Sequence, residues 1–143
     1  MRTIIEKVIL LQEVDIFSEV PTELLAYLAA VAEEVEFESG ETVFREDESA
    51  ELMYQVVSGA VRLHRGETEV TIARAGQPFG TWALFDDERR VVTATAVEPS
   101  QALAIAREDF VDVLADNVQV TQAILKGMVR RIRGLGRIVR GAP

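Results

Sequence analysis

The sequence predicts a mainly β domain with helices at both ends, built as a sandwich or as a rolled barrel. Between about Val35 and Ile105, short runs of alternating apolar and polar residues are separated by turns, and glycines at positions 40, 59, 66, 76 and 80 mark the bends. Several short strands with frequent turns are typical of such folds. Before and after this region, apolar residues recur at helical spacing. With 143 residues, 48% of them hydrophobic, the chain suits a single domain with a substantial core.

The N-terminal region is predicted to be helical over about residues 2–33. Its first helix, residues 2–12, is amphipathic, because charged and polar residues interrupt its apolar ones (Ile4, Ile5, Val8, Ile9, Leu11). That pattern differs from the continuous apolar segment of a signal peptide, and no run reaches transmembrane length. We therefore expect a cytoplasmic location and no membrane insertion. Pro21 suits the first turn of the next helix, whose apolar residues follow at helical spacing (Leu24, Leu25, Leu28, Val31, Val35).

The β region is predicted over about residues 35–106. Within it, Val61 and Leu63 alternate with Arg62 and His64. Alternate residues of a strand point to opposite faces, so His64 is expected to point outward.

The C-terminal region is predicted to form two helices over about residues 107–133. Asn117 is suited to cap the second helix, near Val118. An apolar series at three- and four-residue spacing then follows, as in a coiled-coil seam (Leu125, Met128, Ile132, Leu135, Val139). The seam predicts a homodimer through this helix. Gly134 and Gly136 each weaken a helix by about 1 kcal/mol relative to Ala, so we expect a frayed tail over residues 134–143.

Charge is distributed unevenly along the chain. The formal net charge is −9, which disfavours nonspecific binding to nucleic acid or anionic membranes. From Lys126 onward, however, six residues are basic and none is acidic. This basic segment is interpreted either as a solvated helix face or as a surface that docks on a sister subunit or an attached effector domain. No DNA-reading unit is evident, so this domain alone is not expected to bind DNA.

The composition gives little support to an enzyme or to a metal site. There is no cysteine, and His64 is the single histidine. A histidine-based metal site or a Ser-His-Asp triad would need His64, whose strand phase points it outward. We assign no catalytic residue and no metal ligand.

One segment of the sequence indicates that the domain binds a ligand. The turn Pro78-Phe79-Gly80 precedes a short apolar segment, Trp82 to Phe85, then an acidic loop, and then the pair Arg89-Arg90. Free backbone N–H groups at the start of a helical turn attract anions, and a guanidinium matches phosphate oxygens. The segment therefore predicts a local anion site, against the alternative that both arginines are surface charges offsetting the acidic loop.

Strand alternation distinguishes the two arginines. Arg90 shares its face with small apolar residues, Val92, Ala94 and Ala96. It is therefore predicted to lie at the inner rim, whereas Arg89 is expected in solvent beside the acidic loop.

These motifs resemble the cyclic-nucleotide-binding domains found in catabolite-activator-type regulators, protein kinase A regulatory subunits and cyclic-nucleotide-gated channels. The family's phosphate-binding cassette is similar to Phe-Gly-Glu-Leu-Ala-Leu, a loop, then Pro-Arg-Ala-Ala-Thr. This chain has Phe79 to Leu84, a loop, and Arg89 to Thr93, with the same interval. The resemblance continues at residues 39–44, 52–61 and 105–110, and implies a double-stranded β-helix jelly roll with N-terminal helices and a C-terminal helical pair.

The resemblance also implies a ligand and its contacts. A cyclic nucleotide, cAMP or cGMP, would bind under the cassette, with Arg90 on the phosphate. The implied ligand-binding set is completed by the turn and by one flanking residue (Gly80, Thr81, Trp82, Ala83, Leu84, Val91).

The cassette of this chain is degenerate. Thr81 stands where the family has a Glu that receives the ribose 2′-hydroxyl. Trp82 replaces an aliphatic residue, and we expect it to pack in the core rather than to fill the pocket. Val91 and Val92 replace alanines, and Asp47 replaces a turn glycine, which Asp imitates because it tolerates left-handed backbone.

Two functions follow from this pattern. One is a regulatory module of signal transduction that binds a cyclic nucleotide or another small phosphate-bearing ligand. The other is an orphan module of the same fold that binds no nucleotide and serves dimerisation or partner docking.

Overall fold

The protein folds into two antiparallel sheets flanked by helices at both ends. The structure, a computed structural model, describes the backbone of residues 1–140 and the side chains of residues 1–136. The helices are α1 (Ile4–Leu11), α2 (Thr22–Val31), α3 (Arg107–Asp116) and α4 (Val118–Arg140), with 3-10 turns at Asp15–Phe17 and Thr81–Leu84. The strands are β1 (Glu33–Phe37), β2 (Thr42–Phe44), β3 (Leu52–Ser58), β4 (Ala60–Arg65), β5 (Thr68–Arg74), β6 (Pro78–Phe79), β7 (Thr93–Ala96) and β8 (Ser100–Ala106).

The strand order confirms the predicted fold class. One sheet has the order β1-β8-β3-β6 and the other β2-β7-β4-β5, so each sheet combines strands that are distant in sequence. Every described pairing is antiparallel. The chain thus crosses between the sheets as it proceeds, which is the arrangement of a jelly roll.

The space between the sheets is filled by the inner face of each strand. In the pairing of β4 with β7, Val61 lies opposite Ala96 and Leu63 opposite Ala94, so the predicted alternation of apolar residues faces inward. Aromatic rings fill the end nearest the Thr81–Leu84 turn, where the Tyr54 and Phe79 centroids are 5.1 Å apart. The Thr81–Leu84 turn therefore lies next to the packed aromatic rings at this end of the roll.

His64 lies on the outer face of β4, as its strand phase predicts. Its ring is nevertheless buried, because Nδ1 lies 2.7 Å from the Gly66 carbonyl oxygen and Nε2 2.8 Å from Thr95 Oγ1. Both ring nitrogens are therefore engaged in a local structural role.

A second apolar core joins the helices to the outer side of the first sheet. Each α-helix and the first 3-10 turn contribute fully buried side chains to it (Leu11, Phe17, Leu25, Leu28, Phe110, Ile124), and β3 and β8 contribute others (Met53, Leu103, Ile105). The first helix begins with a capping box, in which Thr3 and Glu6 exchange side-chain and backbone hydrogen bonds. The hydrogen bonds from Thr3 lower the pKa of the Glu6 carboxyl.

The last helix is longer than the sequence predicts. The two glycines predict that regular helix ends near Arg133, with a frayed tail over residues 134–143, but α4 continues to Arg140. Gly134 and Gly136 do not break it, because the residues between and beside them are good helix formers and basic side chains favour a helix C-terminus. Residues 141–143 lie outside the described residues.

The middle of α4 is held against the N-terminal segment. A Cβ atom built at Gly127 would lie 2.8 Å from the carbonyl oxygen of Ile16, so the backbones approach closely at this point. Arg130 also forms a salt bridge of 3.1 Å with Glu19. Arg131, the next residue of the helix, lines the cavity beside the Thr81–Leu84 turn.

Within the described part of the chain, no helix is long and apolar enough to cross a membrane.

Candidate functional site

The turn after β6 requires a glycine for two independent reasons. Gly80 has a φ of 69°, in the left-handed region, which only glycine adopts at little cost. A Cβ at this position would also lie 2.6 Å from Nη1 of Arg90. The backbone therefore passes directly against the guanidinium, as a phosphate-binding turn must if its amides and an arginine are to reach the same anion.

Arg90 is 8% exposed, at the inner rim where the sequence predicts it. It precedes β7, which begins at Thr93, so its position is set by the loop and by packing as well as by strand alternation. Its guanidinium carbon lies 3.9 Å from the centroid of the Phe44 ring, and Nη2 donates to the Leu52 carbonyl over 2.7 Å. Burial lowers the pKa of Arg90, against the opposing effects of Tyr54 and Glu48.

The guanidinium keeps donors that the protein does not use. Nε of Arg90 is buried and has no hydrogen-bond partner among the described residues. A buried charged donor without a partner carries a desolvation cost. An anion bound next to Arg90 would remove that cost.

A cavity of about 430 Å³ opens beside this guanidinium. It is lined by the turn, by Arg90 and by residues that follow it, and six of the seven predicted ligand-binding residues are among its lining (Gly80, Thr81, Trp82, Ala83, Arg90, Val91). The seventh, Leu84, packs in the helical core, because the 3-10 turn directs it away from the cavity. The structure thus brings most of the predicted set together.

A second cavity of about 430 Å³ adjoins the first and shares Pro78, Thr81 and Arg131 with it. Thr81 is buried and lines both cavities, so it lies at the boundary between the two spaces. Arg131 comes from α4 and covers the same boundary from the helix side.

The expectation that Trp82 packs in the core is wrong. Trp82 is 55% exposed and lies at the wall of the cavity, which it lines without filling. The guanidinium of Arg131 lies 5.1 Å from the centroid of its ring, within the range of a cation–π contact. The indole is exposed because the core beneath the turn is already occupied by Leu84 and Phe110.

The backbone amides of the turn are not all available to an anion. The amide of Ala83 donates to the carbonyl of Gly80 over 3.2 Å, closing the 3-10 turn. Amides at the very start of a helical turn have no intrahelical partner. The amides of Gly80, Thr81 and Trp82 are therefore the better candidates.

The acidic loop is anchored by two arginines. Arg89 is exposed, as expected, but its Nη1 donates to the Asp47 carbonyl over 2.6 Å rather than remaining only in solvent. Asp47 has a φ of 66°, which confirms the predicted left-handed backbone at this position. The second is Arg107, whose Nη1 lies 2.9 Å from the Ala50 carbonyl oxygen and 2.6 Å from that of Asp86.

Sequence reasoning missed Arg107 and Arg131. Arg107 is the first residue of α3 and stabilises the cassette from outside, while Arg131 reaches it from α4. Neither lies near the cassette in sequence, so no local motif could identify them. Among the described residues, no group of three His, Cys, Asp or Glu side chains could hold a metal ion.

Comparisons with known proteins agree on one family. The family model described as "Cyclic nucleotide-binding domain" matches residues 34–117, a range that contains the whole β roll from β2 onward and the cassette.

The relatives found include bacterial regulators. The chain is 29% identical over 129 residues to a "CRP-like cAMP-activated global transcriptional regulator" of Mycobacterium tuberculosis, covering 87% of this chain and 58% of the relative. It is 32% identical over 102 residues to a "Cyclic AMP receptor protein" of Thermus thermophilus, covering 68% and 47%. The chain thus spans about half the length of these curated relatives.

A solved structure of similar extent is the N-terminal domain of a transcriptional regulator from Streptomyces coelicolor. Its TM-score is 0.84 at 27% identity, and the match covers 91% of this chain and 94% of that one. The likeness therefore extends to the helices at both ends of the roll.

Proposed function

Because the chain belongs to the cyclic nucleotide-binding domain family, we propose that it is a regulatory module that binds a cyclic nucleotide or another small phosphate-bearing ligand beside Arg90. The observation that carries this proposal is the buried guanidinium whose Nε has no partner among the described residues. Holding such a group in place is costly unless a ligand completes its hydrogen bonds. The adjoining cavity of about 430 Å³ lies within the usual range of small-molecule sites.

Each wall of the cavity has a distinct role in the proposal. Arg90 pairs with the phosphate, and the amides of Gly80, Thr81 and Trp82 cap its remaining oxygens. The hydroxyl of Thr81 contacts the sugar. Val91, which is exposed at the mouth, provides apolar contact to the ligand.

Output depends on α4 in this proposal. Arg131 of α4 lines the cavity, so a bound ligand and the helix contact each other directly. Ligand binding shifts an equilibrium between helix positions only if the ligand has different affinities for them. The helix would transmit this shift to a sister subunit or to an effector domain that is fused to or docked on this one.

An exposed apolar strip on α4 supports dimerisation. Leu125, Ile132 and Leu135 are exposed, whereas Met128 packs against the helical core. Val139, the last predicted member of the seam, lies outside the residues whose side chains are described. We propose that the exposed strip pairs with its copy in a homodimer.

The second candidate function is the orphan module, and one observation favours it. Thr81 lacks the carboxylate that receives the ribose hydroxyl in the family. A hydrogen bond to a charged group is worth about 1.5–3 kcal/mol, so affinity for cAMP or cGMP would be about ten- to a hundredfold lower. An orphan module would keep the scaffold for dimerisation or docking alone.

Thermal unfolding with millimolar ligand distinguishes the two functions. A ligand present at a hundred times its Kd stabilises the folded state by about 2.7 kcal/mol, so cAMP or cGMP should raise the Tm. Adenosine, which lacks the phosphate, is the matched control and should have a much smaller effect. The Thr81→Glu variant should respond to lower concentrations of the cyclic nucleotides. If wild type and Thr81→Glu both fail to respond, cyclic AMP and cyclic GMP are excluded as the ligand and the orphan function is favoured.

A further inference from the structure

We propose that the pocket selects a ligand with two anionic groups, a phosphate held by Arg90 and a second anion held by Arg131. This inference rests on the proposed function and names the class of ligand, a nucleotide with an additional negative charge on its sugar.

Arg131 supplies a second positive charge to the pocket. It lines both the cavity beside Arg90 and the adjoining cavity. Its guanidinium lies 5.1 Å from the centroid of the Trp82 ring, a contact with the π face that occupies none of its five N–H donors with an acceptor oxygen. Among the described residues, no carboxylate lies within salt-bridge distance of Arg131, whereas the neighbouring Arg130 pairs with Glu19 at 3.1 Å.

Thr81 lies between the two arginines. It lines both cavities and is buried, so whatever occupies this position sets the charge at the boundary. A Glu here would place a negative charge in reach of the sugar and of Arg131. Threonine provides a hydroxyl that donates to an anion, and it leaves the charge of Arg131 uncompensated.

The acidic residues around the pocket form no ion pair with these arginines among the described residues. Asp86 and Glu88 line the first cavity and Glu13 and Asp15 the second, and all four are exposed, as Arg131 is. None forms a salt bridge with Arg90 or Arg131 among the described residues, and Asp86 Oδ1 instead accepts from the amide of Glu88 over 3.1 Å. The buried part of the pocket therefore presents the Arg90 guanidinium and the Thr81 hydroxyl to the ligand, and Arg131 lines its exposed side.

Calorimetric titration with a matched pair of esters tests the inference. The 2′-O-succinyl ester of cyclic AMP carries a carboxylate on the sugar, and the 2′-O-butyryl ester is a neutral ester of similar size. Wild-type protein should bind the succinyl ester at least about tenfold more tightly, which corresponds to about 1.4 kcal/mol. Arg131→Gln should abolish this preference, and Thr81→Glu should reverse it because its carboxylate repels the ester's.

Arg133→Gln provides the control for net charge. Arg133 is exposed and lines neither cavity, so the variant has the same net charge as Arg131→Gln and should keep the preference. Equal loss of preference in both variants would indicate a general charge effect and overturn the inference.

The outcomes separate this inference from the proposed function. If wild type binds cyclic AMP or the butyryl ester as tightly as the succinyl ester, the second anion site is absent while ligand binding stands. If cyclic AMP binds and neither ester does, the inference also fails and the proposed function stands. If none of the three binds, both fail.

Discussion

Gly80 and Arg90 lie in direct contact, with Nη1 of Arg90 2.6 Å from the place that a Cβ on Gly80 would take. A side chain at position 80 would therefore have to displace the buried guanidinium. Because the arginine also packs on the Phe44 ring at 3.9 Å, the anion site is built into the end of the apolar core rather than added at the surface.

Replacing Gly80 should therefore affect both stability and binding. An L-residue in the left-handed region costs about 1–2 kcal/mol, and in Gly80→Ala the methyl group must also displace the guanidinium. We expect Gly80→Ala to lose at least this much unfolding free energy in urea and to lose the thermal shift caused by the ligand.

Gly66→Ala is the matched control. Gly66 also has a positive φ, but nothing lies within 4 Å of its Cβ position, so it should lose stability by strain alone and keep the ligand response. An equal loss of ligand response in the two variants would contradict the contact as the cause.

Removing the buried charge should separate binding from stability. In Arg90→Met, an apolar chain of similar length replaces a guanidinium whose Nε has no partner among the described residues. Replacing a poorly paired buried charge with an apolar side chain is often neutral or stabilising. We expect an unchanged or higher Tm without ligand, together with a loss of about ten- to a hundredfold in affinity for the phosphate-bearing ligand.

Arg89→Met serves as the comparison at the neighbouring position, where the side chain is exposed. Its effect on affinity should be smaller. If both substitutions weaken binding equally, Arg90 is not the phosphate contact.

Close packing of α4 predicts opposite effects for two of its glycines. A methyl group at Gly127 would lie 2.8 Å from the Ile16 carbonyl oxygen, whereas nothing lies within 4 Å at Gly134. Overpacking costs about 1–3 kcal/mol, and Ala in place of Gly in an open helix position gains up to about 1 kcal/mol. Gly127→Ala should lower the free energy of unfolding measured in urea and Gly134→Ala should raise it; the same sign for both would show that α4 does not press on this segment.

The proposed dimer predicts a response to charge on the exposed strip of α4. Ile132 is 66% exposed in the single chain and would be buried in the dimer. An unpaired charge buried at such a position costs about 3–5 kcal/mol, so Ile132→Glu should weaken dimerisation at least about a hundredfold in sedimentation equilibrium. Arg133→Gln should leave the dimer intact. A wild-type monomer at high concentration, unaltered by truncation after Ala123, would contradict the proposal.

Burial of Tyr54 predicts a loss of stability at alkaline pH. Its phenol packs on Phe79, with the ring centroids 5.1 Å apart, and desolvation raises its pKa while Arg90 opposes the effect. The neutral Tyr54 side chain contributes to the free energy of unfolding, and this contribution is fully present below the unfolded tyrosine pKa of about 10. It is lost as the pH rises through the higher folded pKa, because the unfolded state ionises first.

Tyr54→Phe removes this titration. In urea unfolding at pH values from 8 to above 10, the free energy of unfolding of the variant should therefore rise relative to that of wild type as the pH rises. For Tyr27→Phe, at an exposed position, the difference from wild type should not change with pH. A constant difference between Tyr54→Phe and wild type across this range would contradict the burial argument.

Local pattern determined much of the fold and part of the site. Alternation in β4 and β7 predicted which residues face inward, and the same alternation continued back to Arg90 predicted which guanidinium lies at the rim. Asp47 was predicted to adopt left-handed backbone, and it does. These properties follow from strand geometry and turn chemistry, which act over a few residues and are therefore present in the sequence.

Tertiary packing decided the rest. Trp82 is exposed because Leu84 and Phe110 already fill the core below the turn, and α4 extends past two glycines that weaken it locally. Arg107 and Arg131 reach the cassette from helices that follow the β roll. The sequence by itself determined the strands, the turn and the arginine that faces the pocket, since each depends on neighbours along the chain. Which side chains from distant helices complete the pocket depended on how the helices pack against the roll, and no local spacing encodes that.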